Sequence, residues 1–230
     1  MEDKVFLITG ASSGIGAATA RSAAKRGYRT VLAARRTEIL NELCEELGGP
    51  TRSLAVRCDV TQWEDQQEMI GQAIDRFGRI DVVLANAGVY HSGGGFADGN
   101  PERWKEMILT NVYGAGLTIR ASLAALKISK GHILLLGSAA GRRPIPGSMY
   151  SATKWAVTGM NYNLREELRG TGVRVTNIQP GVTNTEIFGG EIRDNAMERE
   201  DVAEAILFAV EQHPRVDMHE ILMYPTPPEE

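Results

Sequence analysis

Short β-branched runs alternate with longer amphipathic stretches along most of this chain, and that alternation narrows the possible folds more than any other feature. Near-continuous apolar runs belong to strands buried on both faces, as in a parallel sheet covered by helices. The runs predict strands over Val5–Thr9, Thr30–Ala34, Ser53–Cys58, Asp81–Ala85, Ile133–Gly137, Val173–Ile178 and Glu220–Met223. Helices are expected over Gly14–Arg26, Thr37–Leu47, Thr61–Phe77 and Pro101–Ile128, the last weakened by Gly114 and Gly116. A further helix is expected after Ser148, as its N-cap, running to Leu168 with Gly170 beyond its end. Right-handed crossovers order such strands into a doubly wound parallel sheet of about seven strands, helices on both faces, with ligands beyond the strands' carboxyl ends. No repeat or linker interrupts residues 1–230. One α/β domain is therefore expected, with 225–230 as a frayed tail.

Between the first strand and first helix lies Thr9-Gly10-Ala11-Ser12-Ser13-Gly14-Ile15-Gly16. Gly10 permits a tight turn, Gly14 lets backbone approach a pyrophosphate, and Gly16 lets the helix lie close. Amide groups at the helix N-terminus then offer donors and positive dipole to the phosphates. Glycines alone mark only a turn; their position in a βαβ run is what points to a dinucleotide. At the end of the second strand an Asp or Glu suits a free ribose 2′-hydroxyl, and Arg suits a 2′-phosphate. This chain has Ala33-Ala34-Arg35-Arg36 there, two guanidiniums and no acid, which favours NADP (NADPH) over NAD. Ser12 and Ser13 are positioned to add hydroxyl contacts.

Tyr150 and Lys154 stand four apart on the expected helix, hence on one face. A cation beside a phenol favours the phenolate, so Lys154 is expected to lower the pKa of Tyr150 from about 10. A tyrosine so tuned passes a proton to or from an alcohol or carbonyl oxygen. Taken alone, Tyr-x-x-x-Lys is an ordinary helical surface pair, and the surrounding motifs decide between the readings.

From about Val5 to Ile187 the sequence resembles the single-domain branch of the short-chain dehydrogenase/reductase family, a Rossmann-type fold. Gly10, Ser12, Ser13, Gly14, Ile15 and Gly16 resemble its cofactor loop, and Asp59-Val60 its adenine-contacting pair. Asn86-Ala87-Gly88 resembles the end of its fourth strand, with Ala85 where the family has a further Asn. Asn111, Ser138, Tyr150 and Lys154 match its catalytic set. Pro180, Gly181, Thr183 and Thr185 fall in its nicotinamide-contacting segment, Thr183 replacing a branched aliphatic residue. The interval from Ser138 to Tyr150 is one residue shorter than is common. The resemblance implies hydride exchange between C4 of a nicotinamide and a carbonyl or secondary alcohol carbon. Tyr150 would be general acid in reduction and base in oxidation, with Ser138 bonded to the substrate oxygen. Lys154 would hold the nicotinamide ribose, and Asn111 a water or helix kink behind it. The family also pairs subunits through the helix bearing Trp155, Ala156 and Gly159, which implies a homodimer or homotetramer.

Composition narrows the partners further. A net charge of −4 provides no basic stripe for nucleic acid and no polybasic patch for a membrane. The N-terminus lacks the features of a secretory signal and no apolar run is long enough to span a bilayer. Cys44, Cys58 and four scattered histidines have no metal-ligand spacing, so a metal-independent, cytoplasmic protein acting on a small molecule is expected. His91, in the glycine-rich His91–Phe96 loop, is assigned no catalytic role, and Glu186–Met197 is the expected place for a lid. Two competing classes remain: a non-catalytic NADP-binding sensor on the same fold, and a methyltransferase, which has no use for Tyr150 and Lys154.

Overall fold

The computed structural model describes residues 3–189 and 192–226. The terminal residues 227–230 of the expected tail, and residues 190 and 191 of the expected lid, lie outside them. β1 (Val5–Thr9) leads into α1 (Gly14–Lys25), β2 (Arg29–Ala34) into α2 (Thr37–Glu46), and β3 (Ser53–Arg57) into α3 (Trp63–Phe77). After β4 (Val82–Ala85) come the short α4 (Gly95–Asp98), α5 (Pro101–Ile108) and α6 (Ala115–Ser129). Then follow β5 (His132–Leu136), α7 (Met149–Glu167), β6 (Arg174–Pro180), β7 (Thr183–Asn184), β8 (Met197–Glu198), α8 (Arg199–Glu211) and β9 (Glu220–Met223).

Seven strands form one parallel sheet in the order β3-β2-β1-β4-β5-β6-β9. The direction of winding reverses between β1 and β4, which opens a crevice at their carboxyl ends. Side-chain alternation along β1 divides the core. Val5 and Leu7 face Met69, Phe77, Leu126 and Val157 of α3, α6 and α7, whereas Phe6 and Ile8 face Ala20, Leu40 and Ile206 of α1, α2 and α8. All five residues of β1 are buried, each large apolar side chain contributing about 1.5–3 kcal/mol.

The expected elements are present with boundaries moved by one or two residues, as at β3, which ends at Arg57, and β5, which is His132–Leu136. The expected Pro101–Ile128 helix is divided by a wider π-helical turn over Leu109–Gly114. Gly114 belongs there because a Cβ would approach Val60 Cγ2 to 2.8 Å. α8 and the β7–β8 pair lie outside the sequence expectations. The signal for α8 is nonetheless present: Val202, Ile206, Leu207 and Val210 are buried at helical spacing. Its start is a capping box built from Glu198 and Asp201 instead of the usual Ser/Thr–Glu pair.

Candidate active site

The crevice at the β1/β4 switch is a cleft of about 680 Å³. At one end the glycine turn takes the left-handed conformation at Gly10 (φ +66°) and Gly14 (φ +53°). Gly16 faces the turn instead of the cleft; a Cβ there would meet the Gly10 carbonyl oxygen at 2.5 Å. Ser13 precedes α1 in extended conformation, and its side chain does not cap the helix. Ser12 and Ser13 instead accept hydrogen bonds from the Arg36 guanidinium at 2.9 and 2.8 Å.

Asn86 braces this turn from the neighbouring strand. Its amide donates to the carbonyls of Thr9 (2.8 Å) and Gly10 (3.2 Å), while the Thr9 hydroxyl accepts from the backbone of Asn86 and Ala87. Arg35, Asp59 and Val60 line the same end of the cleft. Partial burial works to raise the Asp59 carboxyl, but hydrogen bonds from Thr61 and the charges of Arg35 and Arg57 hold it below its usual range.

At the other end, Ser138, Tyr150 and Lys154 face the cleft together with Gly88, Pro180, Gly181, Thr183 and Thr185. Ser148 caps α7 by accepting from the Ser151 amide at 3.0 Å, and this start sets Tyr150 and Lys154 one turn apart on the cleft side. Ser138 ends the chain segment after β5, donating to the Pro180 carbonyl (3.4 Å) and accepting from the Ala140 amide (3.1 Å). The Lys154 amine donates to the Leu136 carbonyl at 2.8 Å. Gly88 lies against this group, since a Cβ would come 3.3 Å from Asn111 Oδ1 and 3.8 Å from Lys154 Nζ.

The expectation that Lys154 lowers the pKa of Tyr150 is corrected here. Burial pushes the phenol up to about 12; a hydrogen bond with Ser138 works in the opposite direction and Tyr90 adds to the rise. Burial also pulls the Lys154 amine down to about 8. Burial is the leading cause for both groups and moves each towards its neutral form.

Asn111 does not line the cleft. It sits in the π-helical turn behind it, where Oδ1 accepts from the Val89 amide (2.8 Å) and Nδ2 donates to the Val89 carbonyl (2.9 Å) and the Thr153 hydroxyl (3.1 Å). It thus ties the chain leaving β4 to the helix carrying Tyr150. The sequence reading missed Tyr90, whose ring stands edge-on to Tyr150 with centroids 5.1 Å apart at 87°. Its only sequence signal was an aromatic residue directly after the Asn86–Val89 strand end. His91 Nε2 lies 2.7 Å from Glu106 Oε2 at the cleft mouth.

A model of the short chain dehydrogenase family matches residues 4–196. The chain belongs to the short-chain dehydrogenase/reductase family. Within the family, this dehydrogenase/reductase is 36% identical over 229 residues to an uncharacterized oxidoreductase of Staphylococcus epidermidis, with 98% of each chain covered. It also resembles the alcohol dehydrogenase of the archaeon Thermococcus sibiricus complexed with 5-hydroxy-NADP, at 31% identity and a TM-score of 0.89 over 99% of both chains. The closed form of serine dehydrogenase complexed with NADP+ is 32% identical with a TM-score of 0.91, covering 96% of this chain and 94% of that one. Among the described residues of this dehydrogenase/reductase, no helix is long and apolar enough to cross a membrane.

Proposed function

We propose that this protein is an NADP(H)-dependent oxidoreductase that interconverts a carbonyl compound and a secondary alcohol, with Tyr150 as general acid and base. The observation that carries the reading is that Tyr150, Lys154 and Ser138 open onto the same cleft as the uncapped N-terminus of α1. The residues at the turn fit a dinucleotide. The α1 amides and Gly14 suit the pyrophosphate, and Asp59 with Val60 the adenine. Arg35 and Arg36 suit a 2′-phosphate, Arg36 being already held by Ser12 and Ser13. The NADP-type ligands in the related structures described above support a nicotinamide cofactor, and the preference for NADP rests on Arg35 and Arg36.

When bound, the nicotinamide supplies hydride in reduction and accepts it in oxidation. Lys154, Thr183 and Thr185 would hold its ribose and amide end. Ser138 donates to the substrate oxygen as negative charge grows there. Tyr150 then gives its phenolic proton to that oxygen, completing the alcohol, and takes the proton back when the alcohol is oxidised. A phenol pushed up to about 12 carries its proton at neutral pH, which suits the reductive direction.

The exposed Trp155 on α7 suits the homodimer or homotetramer contact expected for this helix; light scattering in solution tests it. The activity is tested by following NADPH consumption against a panel of ketones, aldehydes and keto acids. Tight NADPH binding with no turnover across the panel would favour the sensor reading instead.

A further inference from the structure

We propose that the substrate of this enzyme carries a carboxylate, received by Arg103 in a recess beside the catalytic cleft; the inference rests on the oxidoreductase reading above. The recess has a volume of about 400 Å³ and is bounded by Tyr90, His91, Ser92, Ile187, Arg103 and Arg193. Tyr90, His91 and Ile187 also line the cleft, so the two spaces share a wall.

Among the described residues, Arg103, Arg193 and His91 line the recess and no carboxylate does. Glu106, which holds His91, lines the cleft side, and Asp98 lines a smaller hollow beyond Arg103. Arg103 forms no ion pair among the described residues, whereas Arg21, Arg26, Arg57, Arg79 and Arg142 each lie within 2.6–3.2 Å of a carboxylate. The helix carrying it is fixed at its start, since the Asn100 side chain accepts from the backbone of Glu102 and Arg103. Across the recess, Asn184 holds the backbone of Arg193 at both its N–H and its carbonyl.

A planar guanidinium matches a carboxylate through two parallel hydrogen bonds. The wall between the recess and the reacting phenol is the Tyr90 ring, set edge-on to Tyr150. A substrate lying along Tyr90 and Ile187 therefore presents its carbonyl to Tyr150 and an acid group a few carbons away to Arg103. Keto acids and the corresponding hydroxy acids fit this description, and simple neutral ketones leave the recess unused.

The test is steady-state kinetics with NADPH on a panel of keto acids and their methyl esters, comparing the native enzyme with Arg103→Met and Arg103→Lys. A lost hydrogen bond to a charged group corresponds to roughly ten- to a hundredfold. Arg103→Met should lower the acid-to-ester ratio of kcat/KM by that factor, chiefly through KM for the acid, and Arg103→Lys should restore part of it. An unchanged ratio, or equal loss on acids and esters, overturns the proposal. Turnover of esters alone overturns it while leaving the oxidoreductase reading intact. Turnover of neither, with NADPH bound, removes both.

Discussion

The amine of Lys154 lies 5.6 Å from the centre of the Tyr150 ring and donates to a backbone carbonyl, in a site that desolvates both groups. Folding brings the amine from an ordinary value of 10.5 down to about 8. Between those pH values the unfolded chain holds a proton that the folded protein has released, so stability rises with pH across the window. The cost of burying the charge is fully present below about pH 8 and relieved above 10.5. It is on the order of 3 kcal/mol. Tyr150 acts oppositely: the folded protein keeps its proton between 10 and about 12, and stability falls with pH there. Urea unfolding of the cofactor-free protein should show the rise between pH 8 and 9, before the buried Cys44 and Cys58 thiols, pushed up to about 11 and about 12, begin to oppose it, and Lys154→Met should flatten it. A native protein whose stability is level from pH 8 to 9, with the same profile in Lys154→Met, contradicts the burial argument.

Replacing Tyr150 by Phe removes the proton donor and leaves the ring against Tyr90. Turnover should fall by about 10²–10⁴-fold. Affinity for NADPH, read from tryptophan fluorescence quenching, should change little because the glycine turn and Arg36 are untouched. A variant that keeps full turnover would falsify the assignment of Tyr150.

Arg36 is the cation best placed to choose between dinucleotides, because Ser12 and Ser13 fix its guanidinium beside the phosphate turn. Arg36→Ala should weaken NADPH about tenfold or more, the worth of a charge-assisted bond, and leave NADH nearly unaffected. Parallel titrations with the two coenzymes measure this. Equal losses for both would mean that Arg36 supports the turn without reading the 2′-phosphate.

The sheet was legible because its strands are buried on both faces. Val5–Thr9 has no polar alternation to blur it, and its bounds match the structure residue for residue. Other bounds moved because hydrogen bonding in the ladder extends past the apolar run, as Pro180 shows at the end of β6. The glycine turn, Arg35, Arg36, Ser138, Tyr150 and Lys154 were legible as local motifs, and the fold gathers them around one cleft. What a motif does not carry is its environment. The sign of the Tyr150 shift depends on burial by elements distant in the chain, and so does the meeting of Tyr90 with Tyr150. α8 was missed although its apolar spacing was readable, since its cap is built from two acidic residues.

Asn111 joins segments distant in sequence. Its side chain satisfies both the N–H and the carbonyl of Val89 and also reaches Thr153. Asn111→Leu strands the two Val89 groups in a site where the native side chain is 2% exposed. Each unsatisfied group costs about 1–3 kcal/mol, so a loss of about 2–6 kcal/mol is expected, or a melting temperature lower by roughly 4–24 °C. Thr153→Val removes one of the three Asn111 bonds together with the bond from the Thr153 hydroxyl to the Tyr150 carbonyl (2.7 Å), and should cost about 1–2 kcal/mol. Because Thr153 is adjacent to Lys154 on α7, the two variants also separate scaffold from chemistry. Thermal unfolding ranks their stabilities, and turnover at a temperature where both are folded reads the effect on Tyr150. If Asn111→Leu melts with the native protein, the clamp between β4 and α7 is not what holds the cleft in shape.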